Sequence, residues 1–188
     1  MNEATQDTPP QNLILVGFMG CGKSTIGHHL HKELQYPHLD TDQLIEQREG
    51  KSIPQIFKEK GEAHFRTLET QLLEELVQAQ PQCHIISTGG GLPLKPENRA
   101  LLQQLGFVIW LDAEPDAIFE RVSRNQNRPL LKTANPRETV LKLLSDRRPI
   151  YEESSHIKIK TDSLNFSEIT YGVIESAKVF FSSLQCGE

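Results

Sequence analysis

The sequence predicts an α/β fold in which helices cover both faces of a parallel sheet. Two observations support this prediction: short apolar runs alternate with longer helix-like stretches, and a glycine-rich turn joins the first run to the first of those stretches. The predicted strands span residues 13–16, 36–39, 84–87, 107–111 and 156–160. The predicted helices span residues 25–34, 42–49, 53–59, 62–79, 97–105, 115–124, 136–150 and 167–184.

Several of these elements carry their own local signals. The first strand, residues 13–16, is entirely apolar. Ile26, Leu30 and Leu34 recur every four residues, which places them on one face of the first helix. Pro54 and Pro96 stand where helices can start, since the first helical turn tolerates a residue without an N–H group.

Length and charge limit the kinds of protein that this chain can be. Its 188 residues fit one domain with a hydrophobic core. The net charge of −5 argues against nucleic acid or an anionic membrane as a partner and is compatible with a monomer. No apolar run approaches the roughly 20 residues of a membrane span. Residues 1–11 are polar and lack the features of a secretion signal, so we expect a disordered extension there and a single domain at residues 12–188.

The cysteines and histidines predict no metal centre. Cys21, Cys83 and Cys186 lie far apart and lack metal-ligand spacing, so we expect free thiols in a reducing cytoplasm. Three histidines cluster within residues 28–31, but no partners for a zinc site accompany them. We interpret them as a solvated helix face.

Residues 17–24, Gly-Phe-Met-Gly-Cys-Gly-Lys-Ser, match the phosphate-binding P-loop pattern G-x-x-x-x-G-K-[ST]. The strand before them and the helix after them are the context that this loop requires. Backbone N–H groups at the helix N-terminus bind phosphate with little reorganisation. Lys23 is expected to reach the β- and γ-phosphates, and the hydroxyl of Ser24 to bind Mg²⁺. The sequence therefore predicts a nucleotide-phosphate site.

Two further residues of this loop, Cys21 and Thr25, are interpreted separately. Cys21 has a glycine on either side in an electropositive turn, where a thiol can be reactive. A small space-filling residue is the favoured interpretation. Thr25 is expected to serve the first helical turn and to contact the α-phosphate.

Residues 124–136 interrupt the alternation of strands and helices. They are polar, basic and contain two prolines, and they connect two predicted helices. Loops of this length inside a compact domain are usually functional or disordered. Beside a P-loop, we interpret the segment as a mobile lid whose closure excludes water from the γ-phosphate.

Polar and glycine residues follow the second and third predicted strands, at the edge where doubly wound sheets bind ligands. Of Asp40 and Asp42, one carboxylate can hold Mg²⁺ and the other can hydrogen-bond an acceptor hydroxyl and take its proton. Alternatively, either residue caps the next helix. Gly89, Gly90 and Gly91 bring backbone N–H groups close to a ligand, or form a plain loop.

Two charged side chains leave alternatives open. Arg66 offers a planar guanidinium suited to a carboxylate. It can equally be a surface arginine paired with Glu62 or Glu69 at helical spacing, and such pairs could also orient it. Asp112 closes an apolar run as a Walker-B aspartate does, and the pattern alone does not choose between Asp112 and Asp40 as the metal-side carboxylate.

Six motifs occur in the order in which shikimate kinases carry them, and residues 12 to 180 resemble that family. The motifs are GFMGCGKSTIG at 17–27, LDTD at 39–42, GExxFR at 61–66, TGGG at 88–91, RPLL at 128–131 and RRPIY at 147–151. The resemblance implies the three-layer α/β/α fold of P-loop kinases, with a five-stranded parallel sheet of order 2-3-1-4-5 and a lid. It also implies transfer of the γ-phosphoryl group of ATP to the 3-hydroxyl of shikimate, with Mg²⁺, in aromatic amino-acid and chorismate biosynthesis.

The resemblance also implies roles for individual residues. Asp42 resembles the residue that holds the shikimate hydroxyls and is the candidate base. Asp40, and not Asp112, looks like the Mg²⁺-side carboxylate, acting through water. Arg66 and Arg147 resemble the pair that grips the shikimate carboxylate.

Other matching positions complete the implied site, with an acceptor-binding region at about residues 40–70. The implied acceptor-site residues are Phe57, Phe65, Glu69 (bracing Arg66), Gly89, Gly90 and Gly91. The implied nucleotide-site residues are Gly20, Cys21, Gly22, Lys23, Ser24, Thr25, Arg121 (stacking on adenine) and Arg128 (in the lid, reaching the transferring phosphate). Cys21 stands where alanine or serine is commoner, residues 162–166 show no alignable adenine-contacting pattern, and residues 1–11 have no counterpart.

Three other functions compete with this interpretation. A gluconate kinase should lack the paired arginines and the Asp-Thr-Asp arrangement, and a nucleotide kinase should have a base-selective pocket in place of Gly89 to Gly91. A regulatory nucleotide-binding module would not need Lys23, Asp42 and Arg128 together. An interaction protein with a relic fold is the least favoured alternative.

Overall fold

A computed structural model describes residues 11–123 and 135–185. Within them, five parallel strands form one sheet: β1 (Leu13–Val16), β2 (His38–Asp40), β3 (Ile85–Ser87), β4 (Phe107–Asp112) and β5 (Ile157–Lys160). Their order is β2-β3-β1-β4-β5, and every neighbouring pair is parallel. The predicted sheet and its strand order are therefore confirmed.

Seven helices lie in the described ranges. They are α1 (Lys23–Leu34), α2 (Thr41–Glu49), α3 (Ile53–Ala79), α4 (Pro96–Leu105), α5 (Pro115–Ser123), α6 (Pro136–Ser154) and α7 (Phe166–Gln185). Inside α3, Gly61 has φ of 80° and ψ of 169°, so the helix is kinked where the sequence predicted two separate helices.

The three central strands of the sheet, β3, β1 and β4, are buried between two hydrophobic layers. Successive side chains of a strand point to opposite faces. Accordingly, Leu13 and Leu15 of β1 pack in the cluster that contains residues of α1 and α7. Ile14 and Val16 pack in the cluster that contains residues of α3 to α6. The three-layer α/β/α arrangement follows from this alternation.

A smaller cluster lies beside the main core. Ile45 of α2 packs with Ile56, Phe65 and Leu72 of α3. It supports the α2–α3 region independently of the sheet, close to the carboxyl end of β2.

The structure differs from the predicted boundaries in a few places. β2 is His38–Asp40, shifted toward the helix that follows it, and a short 3₁₀ helix at Leu92–Leu94 was not predicted. α6 continues to Ser154, four residues past its predicted end, with Pro149 inside it. Proline removes one backbone hydrogen bond but is tolerated where other contacts hold the helix. Here the Tyr151 hydroxyl donates to the Gly90 carbonyl at 2.6 Å.

Several predictions lie outside the described residues. They are the extension at residues 1–11 except for Gln11, the lid at 124–136 except for its last two residues, Arg128 and Cys186. Neither Cys21 nor Cys83 forms a disulfide with a described residue, and Cys21 is fully buried. None of the helices described is long and apolar enough to cross a membrane.

Candidate active site

The P-loop connects β1 to α1 and lines a cavity of about 490 Å³. Gly22, the N-cap of α1, has φ of 100°, a left-handed conformation that glycine adopts without strain. The Nζ of Lys23 donates to the carbonyls of Gly17 at 2.8 Å and Phe18 at 3.0 Å. Residues 19–26 all line the cavity, so a helix N-terminus, a lysine and two hydroxyl groups face it together. These are the groups that bind phosphate.

Asp40 uses its two carboxylate oxygens for two different contacts. Its Oδ1 accepts from the backbone N–H groups of Asp42 at 3.1 Å and Gln43 at 3.4 Å, which caps α2. Its Oδ2 accepts from the Ser24 hydroxyl at 2.9 Å. Capping α2, which the sequence offered as the alternative to a role in the site, therefore does not prevent Asp40 from contacting the P-loop.

Asp112 lies elsewhere, although it also ends a strand. Its carboxylate is 3% exposed and pairs with Arg148 at 3.3 Å and Lys158 at 3.4 Å. It does not line the cavity beside the P-loop. Between the two aspartates that the pattern left open, the geometry favours Asp40 as the carboxylate on the metal side.

Ser24 and Asp40 form a donor set that suits Mg²⁺. Hydroxyl and carboxylate oxygens are the hard ligands that Mg²⁺ prefers, and the ion is usually held by one or two protein groups together with phosphates and water. Within residues 11–123 and 135–185, no three His, Cys, Asp or Glu side chains gather as a metal cage. The three histidines within residues 28–31 make separate contacts, with Ser24, Phe166 and Tyr36.

A second cavity, of about 760 Å³, adjoins the first. The residues that line both are Met19, Ser24, Asp40, Asp42 and Gly90. Predicted acceptor-site residues that line the second cavity are Phe57, Phe65, Arg66, Glu69, Gly89, Gly91 and Arg147. The structure therefore brings the predicted acceptor residues together beside the P-loop.

Arg66 is held by two carboxylates at helical spacing. Its Nη1 donates to Glu69 at 2.8 Å, and its Nη2 donates to Glu62 at 2.8 Å. A Cβ atom at Gly91 would overlap the guanidinium, so only glycine leaves room for this position. The ion pairs that the sequence offered as an alternative thus orient Arg66 along the wall of the second cavity.

Glu69 is a fully buried carboxyl group behind Arg66. Burial raises its pKa to about 7; the Arg66 guanidinium acts in the opposite direction, and the nearby charge of Asp42 raises the pKa further. Its Oε2 accepts from Arg66, whereas no donor among the described residues contacts its Oε1. The net charge of the Arg66–Glu69 pair therefore changes near neutral pH.

Arg147 reaches the second cavity from α6. It is 7% exposed, and its guanidinium lies over the Phe18 ring at 5.5 Å from the centroid. Among the described residues no carboxylate forms an ion pair with it. A nearly buried cation without such a partner, together with Arg66, makes the cavity suited to an anion.

Arg121 also lines the first cavity. It donates to the carbonyls of Gly20 and Thr161, each at 3.2 Å. Sequence reasoning missed Thr161 and Phe166, which line the same cavity. Phe166 is 51% exposed although it is aromatic, a signal that only the structure supplies.

Comparison with known proteins gives consistent results. The family model described as shikimate kinase matches residues 19–178. The shikimate kinase of Actinobacillus pleuropneumoniae serotype 5b is 43% identical over 165 residues, which are 88% of this chain and 94% of that protein. A solved shikimate kinase from Acinetobacter baumannii, in complex with shikimate, has a TM-score of 0.83 and 37% identity over 89% of this chain and 93% of its own. A gluconokinase from Sinorhizobium meliloti, with a TM-score of 0.60 and 16% identity over 96% and 98%, is similar in fold alone.

The raised pKa of Glu69 predicts how stability depends on pH. The folded state binds the proton more tightly than the unfolded state, whose carboxyl group has the ordinary pKa of about 4.5. The protonated group therefore contributes stability at low pH, and that contribution is lost as pH rises through about 7. Relative to wild type, Glu69→Gln should gain about 2 to 3 kcal/mol in the free energy of unfolding between pH 5 and pH 8.

Chemical denaturation of both proteins at several pH values measures this gain. Glu62→Gln is the matched control, because Glu62 pairs with the same arginine but is 53% exposed. Its free energy of unfolding should differ from that of wild type by less than about 1 kcal/mol, because an exposed ion pair contributes little. A Glu69→Gln difference that stays constant between pH 5 and pH 8 would contradict the assignment.

Proposed function

The chain belongs to the shikimate kinase family, and from this premise we propose that it transfers the γ-phosphoryl group of ATP to the 3-hydroxyl of shikimate. The products are shikimate 3-phosphate and ADP. The enzyme would therefore be an ATP-dependent phosphotransferase with an alcohol group as acceptor. The observation that carries the proposal is the position of Arg66 and Arg147 in a cavity that adjoins the P-loop cavity. Two cations in the same cavity as Asp42 suit an acceptor that is both anionic and hydroxylated.

The donor half of the site is the P-loop. The N–H groups of residues 20–25 surround the phosphates, and Lys23 turns from the loop carbonyls that it now contacts to the β- and γ-phosphates. Arg121 and Phe166, which line the same cavity, hold the base. Mg²⁺, held by Ser24 and through water by Asp40, would neutralise charge on the phosphate oxygens.

The acceptor half orients shikimate for attack. Arg66 and Arg147 bind its carboxylate, and Arg66 is held in place by Glu62 and Glu69. Asp42, which lines both cavities, hydrogen-bonds the 3-hydroxyl and accepts its proton as the oxygen attacks the phosphorus. Gly89 to Gly91 let the acceptor approach the backbone. Arg128, from the lid segment outside the described residues, neutralises the transferring group.

We also propose a location, an oligomeric state and partners for the enzyme. We expect a cytoplasmic monomer that acts on small molecules and uses neither nucleic acid nor membrane as a partner. The net charge of −5 supports the absence of a polyanionic partner.

A coupled assay of ADP release tests the proposed reaction. The purified protein with ATP and Mg²⁺ should release ADP at a rate that depends on added shikimate. Gluconate and AMP at the same concentration should give only the rate seen without an acceptor. ADP release that is equal with and without shikimate would overturn the proposal, and a response to gluconate would favour the rival kinase.

The role of Asp42 predicts a selective loss of turnover. Asp42→Asn removes the proton acceptor but keeps the size of the side chain, so kcat should fall at least about a hundredfold, the usual scale for a general base. Binding of ATP, measured by calorimetry, should change little. Asp116→Asn, at an exposed aspartate of α5, is the control and should keep its activity. Near-wild-type turnover of Asp42→Asn would remove Asp42 from this role.

The close approach of Gly91 to Arg66 predicts an effect on acceptor binding. In Gly91→Ala the new methyl group must displace the guanidinium, which is the mobile end of a side chain, so the fold should persist. The KM for shikimate should rise about tenfold or more because a bidentate contact is misaligned. Gly172→Ala, where a Cβ atom meets nothing closer than 3.9 Å, is the control. An unchanged KM in Gly91→Ala would show that Arg66 does not bind the acceptor.

A further inference from the structure

Asp112 is a buried carboxylate that the proposed mechanism leaves unused. It is the last residue of β4, the strand that pairs with β1 and so lies next to the P-loop strand. Burying a carboxylate is unfavourable unless cations pair with it. Two cations do so: Arg148, whose Nη2 lies 3.3 Å and 3.4 Å from its two oxygens, and Lys158 at 3.4 Å.

The contact with Arg148 fixes a turn of α6. Arg148 also donates to the carbonyl of Ala113 at 3.1 Å, so its guanidinium is anchored on the end of β4. Arg147 is the preceding residue of the same helix. Since consecutive helical residues point about 100° apart, an anchored Arg148 determines where Arg147 points, which is over Phe18 and into the acceptor cavity.

A second anchor lies one turn further along α6. The hydroxyl of the fully buried Tyr151 donates to the carbonyl of Gly90, in the acceptor loop. Between the two anchors stands Pro149, which has no N–H group and removes one backbone hydrogen bond from this part of the helix. Because the backbone is weakened there, side-chain contacts determine the local geometry more than they do in an ordinary helix.

We propose that Asp112 is a positioning residue for the acceptor: through Arg148 it fixes the turn of α6 that presents Arg147 to the acceptor carboxylate. It touches neither substrate. This inference rests on the proposed function, because it assumes that Arg147 binds the acceptor. It predicts that Asp112 affects the KM for shikimate, while kcat and the KM for ATP depend on groups that α6 does not carry.

The test compares the kinetics of Asp112→Asn with those of wild type. The amide is the same size as the carboxylate but has no charge to hold Arg148. We expect the KM for shikimate to rise about tenfold, below the roughly hundredfold effect of misplacing a group by an ångström. The KM for ATP and kcat should stay within about twofold. Asp116→Asn breaks an exposed ion pair with Arg137 and is the matched control, with unchanged kinetics.

A double-mutant cycle separates positioning from a general loss of stability. Arg147→Lys should itself raise the KM for shikimate, because a single ammonium group replaces a planar guanidinium that can form two parallel hydrogen bonds. If Asp112 acts through Arg147, adding Asp112→Asn to Arg147→Lys should raise KM by less than twofold, so the two effects are not additive. Asp112→Glu, which keeps the charge, should recover part of the lost affinity for shikimate.

The outcomes are distinguishable. Wild type without shikimate-dependent ADP release would overturn the proposed function itself. An active wild type together with an unchanged shikimate KM in Asp112→Asn would overturn only the inference. A fall in kcat together with a rise in both KM values would also overturn the inference, because it would indicate a purely structural role. Fully additive effects in the cycle would do the same.

Discussion

The parallel register of three neighbouring strands is the constraint on which the site depends. Asp40 at the end of β2 is level with Ser87 of β3, which in turn is level with Leu15 of β1. The loops that follow these strands therefore emerge at one edge of the sheet. One direct consequence is the hydrogen bond between Asp40 and Ser24. A carboxylate that caps the helix of the acceptor region thus also contacts the loop that would hold the donor.

The acceptor cavity is lined by charged side chains that are buried or nearly buried. Arg147 is almost buried and Glu69 is fully buried, and a buried charge is unfavourable unless an opposite charge pairs with it. Glu69 and Arg66 form a pair whose net charge changes near neutral pH, since burial raises the pKa of Glu69 to about 7. An anion bound at Arg66 would add negative charge beside Glu69 and would therefore favour the protonated form of that carboxyl group.

The sequence allowed prediction of much of this arrangement, for physical reasons. The alternation of strand-like and helix-like segments predicted the sheet. The spacing G-x-x-x-x-G-K-[ST] predicted the phosphate-binding loop. Boundaries were less predictable: Pro149 is typical of a helix end, but the contact of Tyr151 with Gly90 keeps α6 intact. The dual use of Asp40 was not predictable, because a pattern does not separate the contacts of two oxygens. Phe166 carried no pattern at all, since its exposure depends on how α7 packs.

A crystal structure of the protein with ADP, Mg²⁺ and shikimate tests the central claim most directly, namely that the two adjoining cavities form one two-substrate site. The account predicts Mg²⁺ at the Ser24 hydroxyl, the shikimate carboxylate between Arg66 and Arg147, and the 3-hydroxyl within hydrogen-bonding distance of Asp42. Shikimate bound with its carboxylate away from both arginines, or outside the second cavity, would contradict it.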